Sequence, residues 1–349
     1  MTEPWTLSPE TAEDLRRQAE ELVNGATEIP DIPDIPRDRA CRQSFSPLPA
    51  PLLAARETEE IEWIVPDYVP PGGLVLLVAP PKTGKTTFGY HMAHAVSSGQ
   101  RFLGRVVKKT RVLILALEER EEDVKRRIKA LGMGEDVYFH VGPLRADALP
   151  LIEHYIREHD IGMMIVDTLP RFWTVDDENN AVQVGAAISP ILDLARSTNA
   201  AVVLIHHSRK SVGKHGADIR GSGDLFAHCD LAMIMRHASG ANQRELESFS
   251  RYDSTPDKLM ISLEEDGYHV LGDAASVKAQ ESDDLYLSFL TTEAMTVEQI
   301  KEGSDLAESE RTLSRRYEKM LDKGLCQREG SGKKSDPFRY KMIDDSTNL

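Results

Sequence analysis

The chain has 349 residues, of which 40% are hydrophobic, so it is long enough for one large α/β domain and a smaller second one. A net charge of -15 argues against a protein that coats nucleic acid with its whole surface, so any such contact must be local. Three cysteines without C-x-x-C spacing argue against a disulfide framework or a zinc site. The lack of a long apolar run or signal peptide predicts a cytoplasmic protein without a membrane partner.

Residues 1–45 are predicted to form an N-terminal arm. Residues 8–23 have the apolar spacing of one amphipathic helix, and residues 29–36 repeat an Ile-Pro-Asp triplet. Proline at every third position favours polyproline II, which indicates a stiff linker or a docking peptide. We favour a linker, because nothing in this segment specifies a partner.

Between residues 46 and 273, short apolar strands alternate with helices, which predicts one large α/β domain. The strands are expected at residues 74–78, 112–117, 137–141, 163–167, 201–206 and 231–235, and helices at 86–97, 121–131 and 182–197. Strands this rich in β-branched residues are typical of a sheet covered on both faces. The pattern predicts a doubly wound, mostly parallel sheet, closed at its far edge by antiparallel strands at residues 244–250, 259–264 and 268–271.

The first predicted strand runs directly into a phosphate-binding loop and a helix. Ala79 stands at the first position of the G-x-x-x-x-G-K-[ST] pattern, where alanine costs little if its φ stays negative. Loop amides and the helix N-terminus gather around phosphates, Lys85 supplies a charge to the β/γ-phosphates, and Thr86 offers a hydroxyl to Mg²⁺. The residues predicted to bind a nucleoside triphosphate are Ala79, Pro80, Pro81, Lys82, Thr83, Gly84, Lys85, Thr86 and Thr87.

Two other strands end in carboxylates. Asp167 ends an apolar strand of the Walker B form and is predicted to hold Mg²⁺ through water, the alternative being a helix-capping role. Glu118 and Glu119 follow the strand at 112–117, whose carboxyl end should face the ligand crevice of a parallel sheet. Glu118 is the predicted base that polarises the attacking water. Glu119 is the alternative base, although it fits better as the N-cap of the next helix.

His206 and His207 end the strand that follows the Asp167 strand. Because no further ligands lie at metal spacing, we expect them to sense the γ-phosphate and link hydrolysis to the next loop. That basic loop, residues 208–219, is expected to contact nucleic acid or a neighbouring subunit through Arg209, Lys210 and Lys214. Arg220, beside flexible glycines, is interpreted either as an arginine finger for a neighbouring γ-phosphate or as a surface salt bridge.

Residues 285–343 are predicted to form a winged-helix-like domain after a polar boundary at 273–284. A helix from Leu285, a capping box of Thr296 with Gln299 and a helix capped by Ser309 should precede a hairpin of residues 325–329 and 338–342. From residue 311 to 341 there are ten Lys/Arg and four Asp/Glu, a local balance of +6. This favours nucleic-acid contact over a solvated oligomerisation helix. The predicted contact residues are Arg311, Arg315, Lys319, Lys333 and Lys334.

From about residue 60 to 236, the chain resembles the RecA-like ATPases related to the plasmid replicative helicase RepA. The matching segments, in order, are Glu62-Trp63-Ile64-Val65-Pro66, Pro71-Gly72-Gly73, the Pro-Lys-Thr-Gly-Lys-Thr loop, Leu117-Glu118-Glu119, Val166-Asp167-Thr168, Glu178-Asn179, His206-His207-Ser208, Ile219-Arg220-Gly221-Ser222-Gly223 and Cys229-Asp230. Any one of these is weak, but all of them in the family's order are highly specific. Ala79, the N-terminal arm and the C-terminal extension depart from the family pattern.

The resemblance implies a RecA fold, ATP and Mg²⁺ as cofactors, and hydrolysis at subunit interfaces, commonly in a hexameric ring around single-stranded DNA. By position, it implies phosphate and Mg²⁺ binding by Lys85 and Thr86, a catalytic glutamate at Glu118, a Walker B aspartate at Asp167, a sensor at His207 and an arginine finger at Arg220. The implied partners are single-stranded or duplex DNA and further copies of the chain.

Three functional hypotheses remain at this stage. The leading one is an ATP-dependent DNA motor, a replicative helicase of a plasmid, phage or mobile element. The alternatives are a recombination or repair ATPase, and a nucleotide-switched DNA-binding regulator that does not unwind. Phe172 and Trp173 are expected either to stack on bases in a pore or to pack in the core under the loop, and core packing is slightly favoured.

Overall fold

The computed structural model describes residues 47–56, 60–145, 147–208, 223–265, 267–304 and 306–343. The chain divides into two units, residues 1–61 and 62–349. The described part of the first unit contains a short helix, α1 (Ala50–Ala54), with no buried residue. The predicted N-terminal arm, residues 1–45, lies outside the described residues.

A nine-stranded sheet forms the centre of the second unit. In chain order the strands of this part are β1 (Leu74–Ala79), β2 (Arg101–Phe102), β3 (Arg105–Val106), β4 (Arg111–Ala116), β5 (Val137–Val141), β6 (Ile161–Asp167), β7 (Ala201–His207), β8 (Leu231–His237), β9 (Gln243–Ser250), β10 (Lys258–Glu264) and β11 (Gly267–Asp273). The sheet order is β11-β10-β9-β8-β1-β7-β6-β4-β5, while β2 and β3 pair separately. Strands β8, β1, β7, β6, β4 and β5 are parallel, and β9, β10 and β11 are antiparallel. The predicted mostly parallel α/β sheet is confirmed.

Helices flank this sheet. They are α2 (Lys85–Ser98), α3 (Glu121–Leu131), α4 (Leu149–Glu158), α5 (Leu169–Phe172), α6 (Ala181–Thr198) and α7 (Gly223–His228). Side chains of β1 alternate between two apolar clusters, with Val75 and Leu77 in one and Leu74 and Leu76 in the other. Because successive strand residues point to opposite faces, these clusters cover both faces of the sheet, as the continuous apolar strands predicted.

Local signals set the helix ends. Gly99 and Gly132 follow α2 and α3 with φ of +72° and +60°, a left-handed conformation that glycine adopts without steric cost. Asn180 begins α6, since its side chain accepts hydrogen bonds from the amides of Val182 and Gln183. Among the described residues, no helix is long and apolar enough to cross a membrane.

The C-terminal part contains three helices and a small sheet. Its elements are α8 (Ala274–Leu287), β12 (Met295–Thr296), α9 (Val297–Glu302), α10 (Glu310–Asp322), β13 (Gln327–Glu329) and β14 (Arg339–Lys341). Strand β14 pairs antiparallel with β12 and with β13. The predicted capping box of Thr296 with Gln299 and the Ser309 cap are both present.

The predicted helix start at Leu285 is wrong. Helix α8 begins eleven residues earlier, because the Asp273 carboxylate accepts hydrogen bonds from the amides of Ala275 and Ser276 and caps the helix. The polar composition of residues 273–284 therefore belongs to a mostly solvent-facing helix.

A separate apolar cluster supports the C-terminal part. Tyr317 of α10 is buried, stacks on Tyr340 with ring centroids 5.2 Å apart, and donates a hydrogen bond of 3.0 Å to the Tyr286 carbonyl. Leu313 and Met320 lie on the same buried side of α10. The predicted basic residues Arg311, Arg315 and Lys319 are exposed, as are Lys333 and Lys334 in the β13–β14 connection.

Candidate functional site

The phosphate-binding loop lies at the carboxyl end of β1, in the middle of the sheet. Ala79 is fully buried and is not among the residues with positive φ, so alanine fits this first loop position without strain. Lys82 and Gly84 do have positive φ, +63° and +107°. Gly84 precedes α2 as its N-cap and contributes no side-chain cap, so phosphate oxygens are suitable partners for the first helix amides.

Lys85 folds back over the loop that precedes it. Its Nζ donates hydrogen bonds to the carbonyls of Ala79, 2.9 Å away, and Pro80, 3.0 Å away. Burial lowers the pKa of Lys85, and the charges of Asp167 and Glu118 oppose that shift. The ammonium is thus held inside the curve of the loop, where a nucleotide's phosphates would lie.

Asp167 and Thr86 fit the requirements of a bound Mg²⁺. The Oδ2 atom of Asp167 is buried without a protein partner. Burial is the main cause that raises the pKa of Asp167 to about 6, while the Thr86 side chain lies close enough to oppose this shift. Within the described ranges, no three His, Cys, Asp or Glu side chains form a metal-binding group. Mg²⁺ here would take its other ligands from phosphates and water, its usual arrangement with nucleotides.

Glu118 lies at the same edge of the sheet, just after β4. The Thr168 hydroxyl donates a hydrogen bond of 2.9 Å to Oε1 of Glu118, and Arg171 Nε lies 3.6 Å from that oxygen. His207 Nε2 lies 4.0 Å from Oε2, and the Glu118 side chain is 37% exposed. This carboxylate is therefore oriented by neighbours but remains accessible to water.

Glu119 occupies a different environment. Arg120, not Glu119, is the N-cap residue of α3, so the predicted capping role of Glu119 is wrong. Glu119 is 15% exposed, and its two oxygens accept hydrogen bonds from Tyr90 Oη at 2.8 Å and Arg127 Nε at 2.9 Å. Arg127 also donates to Thr87 Oγ1 at 3.3 Å. Glu119 thus ties α3 to the loop helix α2, whereas the side chain of Glu118 is more exposed.

The histidines end β7 beside the loop strand. In the parallel pairing of β1 with β7, His207 lies opposite Ala79, whose carbonyl accepts a hydrogen bond of 3.1 Å from the Ser208 amide. His206 is buried, and its ring lies 6.2 Å from that of Trp173. Phe172 and Trp173 are half-buried and pack against the apolar cluster on this face, which favours core packing over base stacking.

Four predicted residues cannot be placed. Arg209, Lys210, Lys214 and Arg220 lie in residues 209–222, outside the described residues. The proposed loop contacts and the arginine finger therefore remain predictions.

Sequence reasoning missed two contacts to the loop. Arg244 of β9 donates from Nε to the Thr83 carbonyl at 2.8 Å, and Tyr268 of β11 donates from Oη to the Gly84 carbonyl at 3.4 Å. The antiparallel strands thus reach back to the phosphate-binding loop. No local pattern marks these residues, because each lies more than 150 positions from its partner in the chain.

The parallel sheet, the loop with Lys85 and Thr86, and Asp167 at the end of β6, which β7 separates from the loop strand, define a P-loop ATPase. A family model described as an AAA domain, AAA_25, matches residues 37–213, half of the chain. The protein therefore belongs to this family of P-loop ATPases. A comparison with curated proteins gives no match.

Proposed function

We propose that this protein is a Mg-ATP-hydrolysing, DNA-associated motor, most simply a replicative helicase of a plasmid, phage or mobile element. The observation that carries the hydrolytic part is the position of Glu118, an accessible carboxylate oriented by Thr168 at the crevice that holds Lys85 and Asp167. The motor assignment follows the resemblance to the RepA-related ATPases.

In this proposal the loop and the first turn of α2 bind the phosphates of ATP. Lys85 exchanges the carbonyls of Ala79 and Pro80 for phosphate oxygens, and the Thr86 hydroxyl and Asp167 carboxylate hold Mg²⁺. When bound, the ion neutralises charge on the β- and γ-phosphates. Orientation of the attacking water and sensing of the γ-phosphate are assigned to side chains of the protein.

Glu118 is the proposed base that orients the attacking water. Its Oε1 is engaged by Thr168, and Oε2 faces His207, so a water bound to Oε2 would lie between the base and the proposed sensor. Movement of His207 on loss of the γ-phosphate would pass directly to Ser208 and the loop that follows β7. Arg220 is the proposed finger, acting on the nucleotide of a neighbouring copy in a hexameric ring.

The proposed DNA contacts lie in two places. The first is the loop with Arg209, Lys210 and Lys214. The second is the C-terminal part from α8 onward, and its element order, α8, α9 and α10 followed by the β13–β14 hairpin, supports a winged-helix-like domain. Exposed Arg311, Arg315 and Lys319 on α10, with Lys333 and Lys334 in the hairpin, support phosphate contact in an otherwise acidic chain.

Strand separation tests the motor assignment. The full-length wild type and Lys85→Ala should be mixed with a fluorescently labelled forked duplex, ATP and Mg²⁺. Lys85-dependent separation of the strands is the expected result. ATP turnover without separation would contradict a stand-alone helicase and favour the recombination or repair ATPase.

A nucleotide-switched DNA-binding regulator is the second candidate. The observation that favours it is the attachment of α8 to the ATPase sheet, where Lys278 pairs with Glu245 and Ser239 donates to Glu281 at 2.9 Å. This attachment would let nucleotide state influence the C-terminal part. The regulator would retain sequence-specific duplex binding in Glu118→Gln with ATP bound, whereas a motor would need hydrolysis for its activity.

A further inference from the structure

Arg244 makes an unusual set of hydrogen bonds beside the phosphate-binding loop. Its Nε donates to the Thr83 carbonyl at 2.8 Å, and its Nη1 donates to the carbonyls of Ala241 at 3.0 Å and Gln243 at 2.7 Å. All three acceptors are carbonyl oxygens, so none of them neutralises the guanidinium charge. Half-buried Arg244 therefore contacts the loop at its Thr83–Gly84 end. Lys85 instead contacts the carbonyls of Ala79 and Pro80, at the start of the loop.

The hydrogen bond from Arg244 fixes the direction of a loop amide. A trans peptide is planar, and its carbonyl and N–H point in opposite directions. The only cis peptide among the described residues is elsewhere, at Asp167–Thr168, so the Thr83–Gly84 peptide is trans. Because Arg244 holds the Thr83 carbonyl toward β9, the Gly84 N–H must point away from β9.

Tyr268 contacts the next peptide together with helix α2. The Gly84 carbonyl accepts a hydrogen bond from Tyr268 Oη at 3.4 Å and one from the Phe88 amide at 2.8 Å, and the Lys85 N–H of that peptide points in the opposite direction. Gly84 itself has φ of +107°, and a Cβ there would lie 2.9 Å from Tyr268 Oη. Tyr268 can therefore lie this close to the loop only because residue 84 is a glycine.

We propose that Arg244 and Tyr268 are positioning residues of the phosphate-binding loop. Through the Thr83 and Gly84 carbonyls, they hold the Gly84 and Lys85 amides in the orientation that binds the polyphosphate of the nucleotide. This lowers the reorganisation needed on binding, and it rests on the proposed nucleotide binding by the loop. Both residues lie beyond residues 37–213, so the antiparallel strands complete a loop that the family-matched segment supplies.

Nucleotide affinity tests this proposal in the full-length protein. A fluorescent N-methylanthraniloyl ATP would be titrated with Mg²⁺ into the wild type, Arg244→Gln, Arg244→Lys and Tyr268→Phe. Loss of a charge-assisted hydrogen bond should weaken binding about tenfold in Arg244→Gln. The affinity of Arg244→Lys should lie between those of the wild type and Arg244→Gln, because lysine keeps the charge but lacks the planar guanidinium that contacts three carbonyls. Tyr268→Phe should weaken binding about two- to threefold, since its hydrogen bond is long.

Arg101→Gln is the matched control. Arg101 lies on β2, and its Nη1 donates a hydrogen bond of 2.8 Å to the Gly104 carbonyl, so the same substitution removes an arginine-to-carbonyl bond on another strand. This variant should bind as the wild type does. Displacement of the bound fluorescent nucleotide by inorganic pyrophosphate is measured as well. Pyrophosphate has no nucleoside, so its affinity reports on the loop amides. A general loss of stability would not change this affinity.

The outcomes separate the two proposals. If the wild type does not bind, or if Lys85→Ala binds equally well, nucleotide binding at the loop fails and the positioning role fails with it. If the wild type binds, Lys85→Ala does not, and both Arg244→Gln and Tyr268→Phe match the wild type, only the positioning role is overturned. Should Arg244→Gln not fold, as judged by circular dichroism, Tyr268→Phe decides, because it removes a single oxygen atom.

Discussion

The Thr168 hydroxyl donates a hydrogen bond of 2.9 Å to the carboxylate of Glu118. Thr168 follows Asp167 directly in the chain, and the pairing of β4 with β6 places Ala116 opposite Asp167. The residue next to the proposed Mg²⁺ ligand therefore orients the proposed base. The end of β6 thus positions both the proposed Mg²⁺ ligand and the proposed base. This would keep the metal ion and the attacking water at a fixed distance from each other.

Glu118→Gln should abolish most ATP turnover while nucleotide affinity is kept. An amide cannot accept the proton of the attacking water, and general-base catalysis is typically worth about 10²–10⁴-fold. Steady-state phosphate release with Mg-ATP measures the effect. Turnover within about threefold of the wild-type rate would be too small a loss for a general base and would contradict the proposed role of Glu118.

Glu119→Gln should act mainly on stability. It replaces a carboxylate that accepts hydrogen bonds from Tyr90 and Arg127 in a half-buried network, at a cost of about 1–3 kcal/mol. Urea unfolding would show a lower midpoint, whereas turnover by the folded variant should exceed that of Glu118→Gln. The reverse ranking of turnover would make Glu119 the base.

Asp167 should make the nucleotide-free protein less stable as pH rises. Its pKa is raised from 3.8 to about 6, so the folded state binds the proton more tightly than the unfolded state does. The resulting stabilisation is fully present below about pH 3.8 and is lost as pH rises through about 6. Asp167→Asn should remove this dependence between pH 5 and 7, as measured by urea unfolding without nucleotide. An unchanged slope in the variant would contradict the assignment.

Gly84→Ala should weaken nucleotide binding and stability together. Its φ of +107° is unfavourable for alanine, and the new Cβ would lie 2.9 Å from Tyr268 Oη. Strain of this kind costs about 1–3 kcal/mol. Ala79→Gly is the matched control within the loop, and its nucleotide affinity should stay close to that of the wild type. Equal affinity in both variants would show that the Gly84 conformation is not needed.

Replacement of Arg315 and Lys319 by alanine should weaken DNA binding and its salt dependence. If each residue contacts one phosphate of duplex DNA, the slope of log K against log [salt] should fall by about 0.9 per residue. Lys125→Ala is a suitable control, because this exposed lysine on α3 pairs with Glu121. An unchanged slope in the double variant would exclude these two residues from the DNA contact.

Local sequence signals were sufficient for most of the fold. The apolar strands, Gly132 after α3 and the Ser309 cap each depend on residues close in sequence, and the bounds of β5 and α3 agree with those predicted. The start of helix α8 differs from the prediction because polar residues 273–284 resemble a linker in composition, although the Asp273 cap that starts the helix is itself a short-range signal.

The site was less accessible to sequence reasoning where it depends on distant residues. Glu118 and Glu119 are neighbours with the same chemistry, and only the tertiary contacts of Glu119 with Tyr90 and Arg127 distinguish them. Arg244 and Tyr268 reach the loop only because β9, β10 and β11 extend the sheet beyond β8. Contacts of this range have no periodicity or spacing that a single sequence reveals.

The most direct test is the rate of ATP hydrolysis by the full-length protein with and without single-stranded DNA, compared with that of Lys85→Ala. Lys85 begins α2 directly after the loop, and its Nζ contacts the Ala79 and Pro80 carbonyls, where the phosphates are proposed to bind. We predict turnover that DNA stimulates and that Lys85→Ala abolishes. Turnover that is independent of Lys85, or that does not respond to DNA, would contradict a DNA-associated ATPase motor.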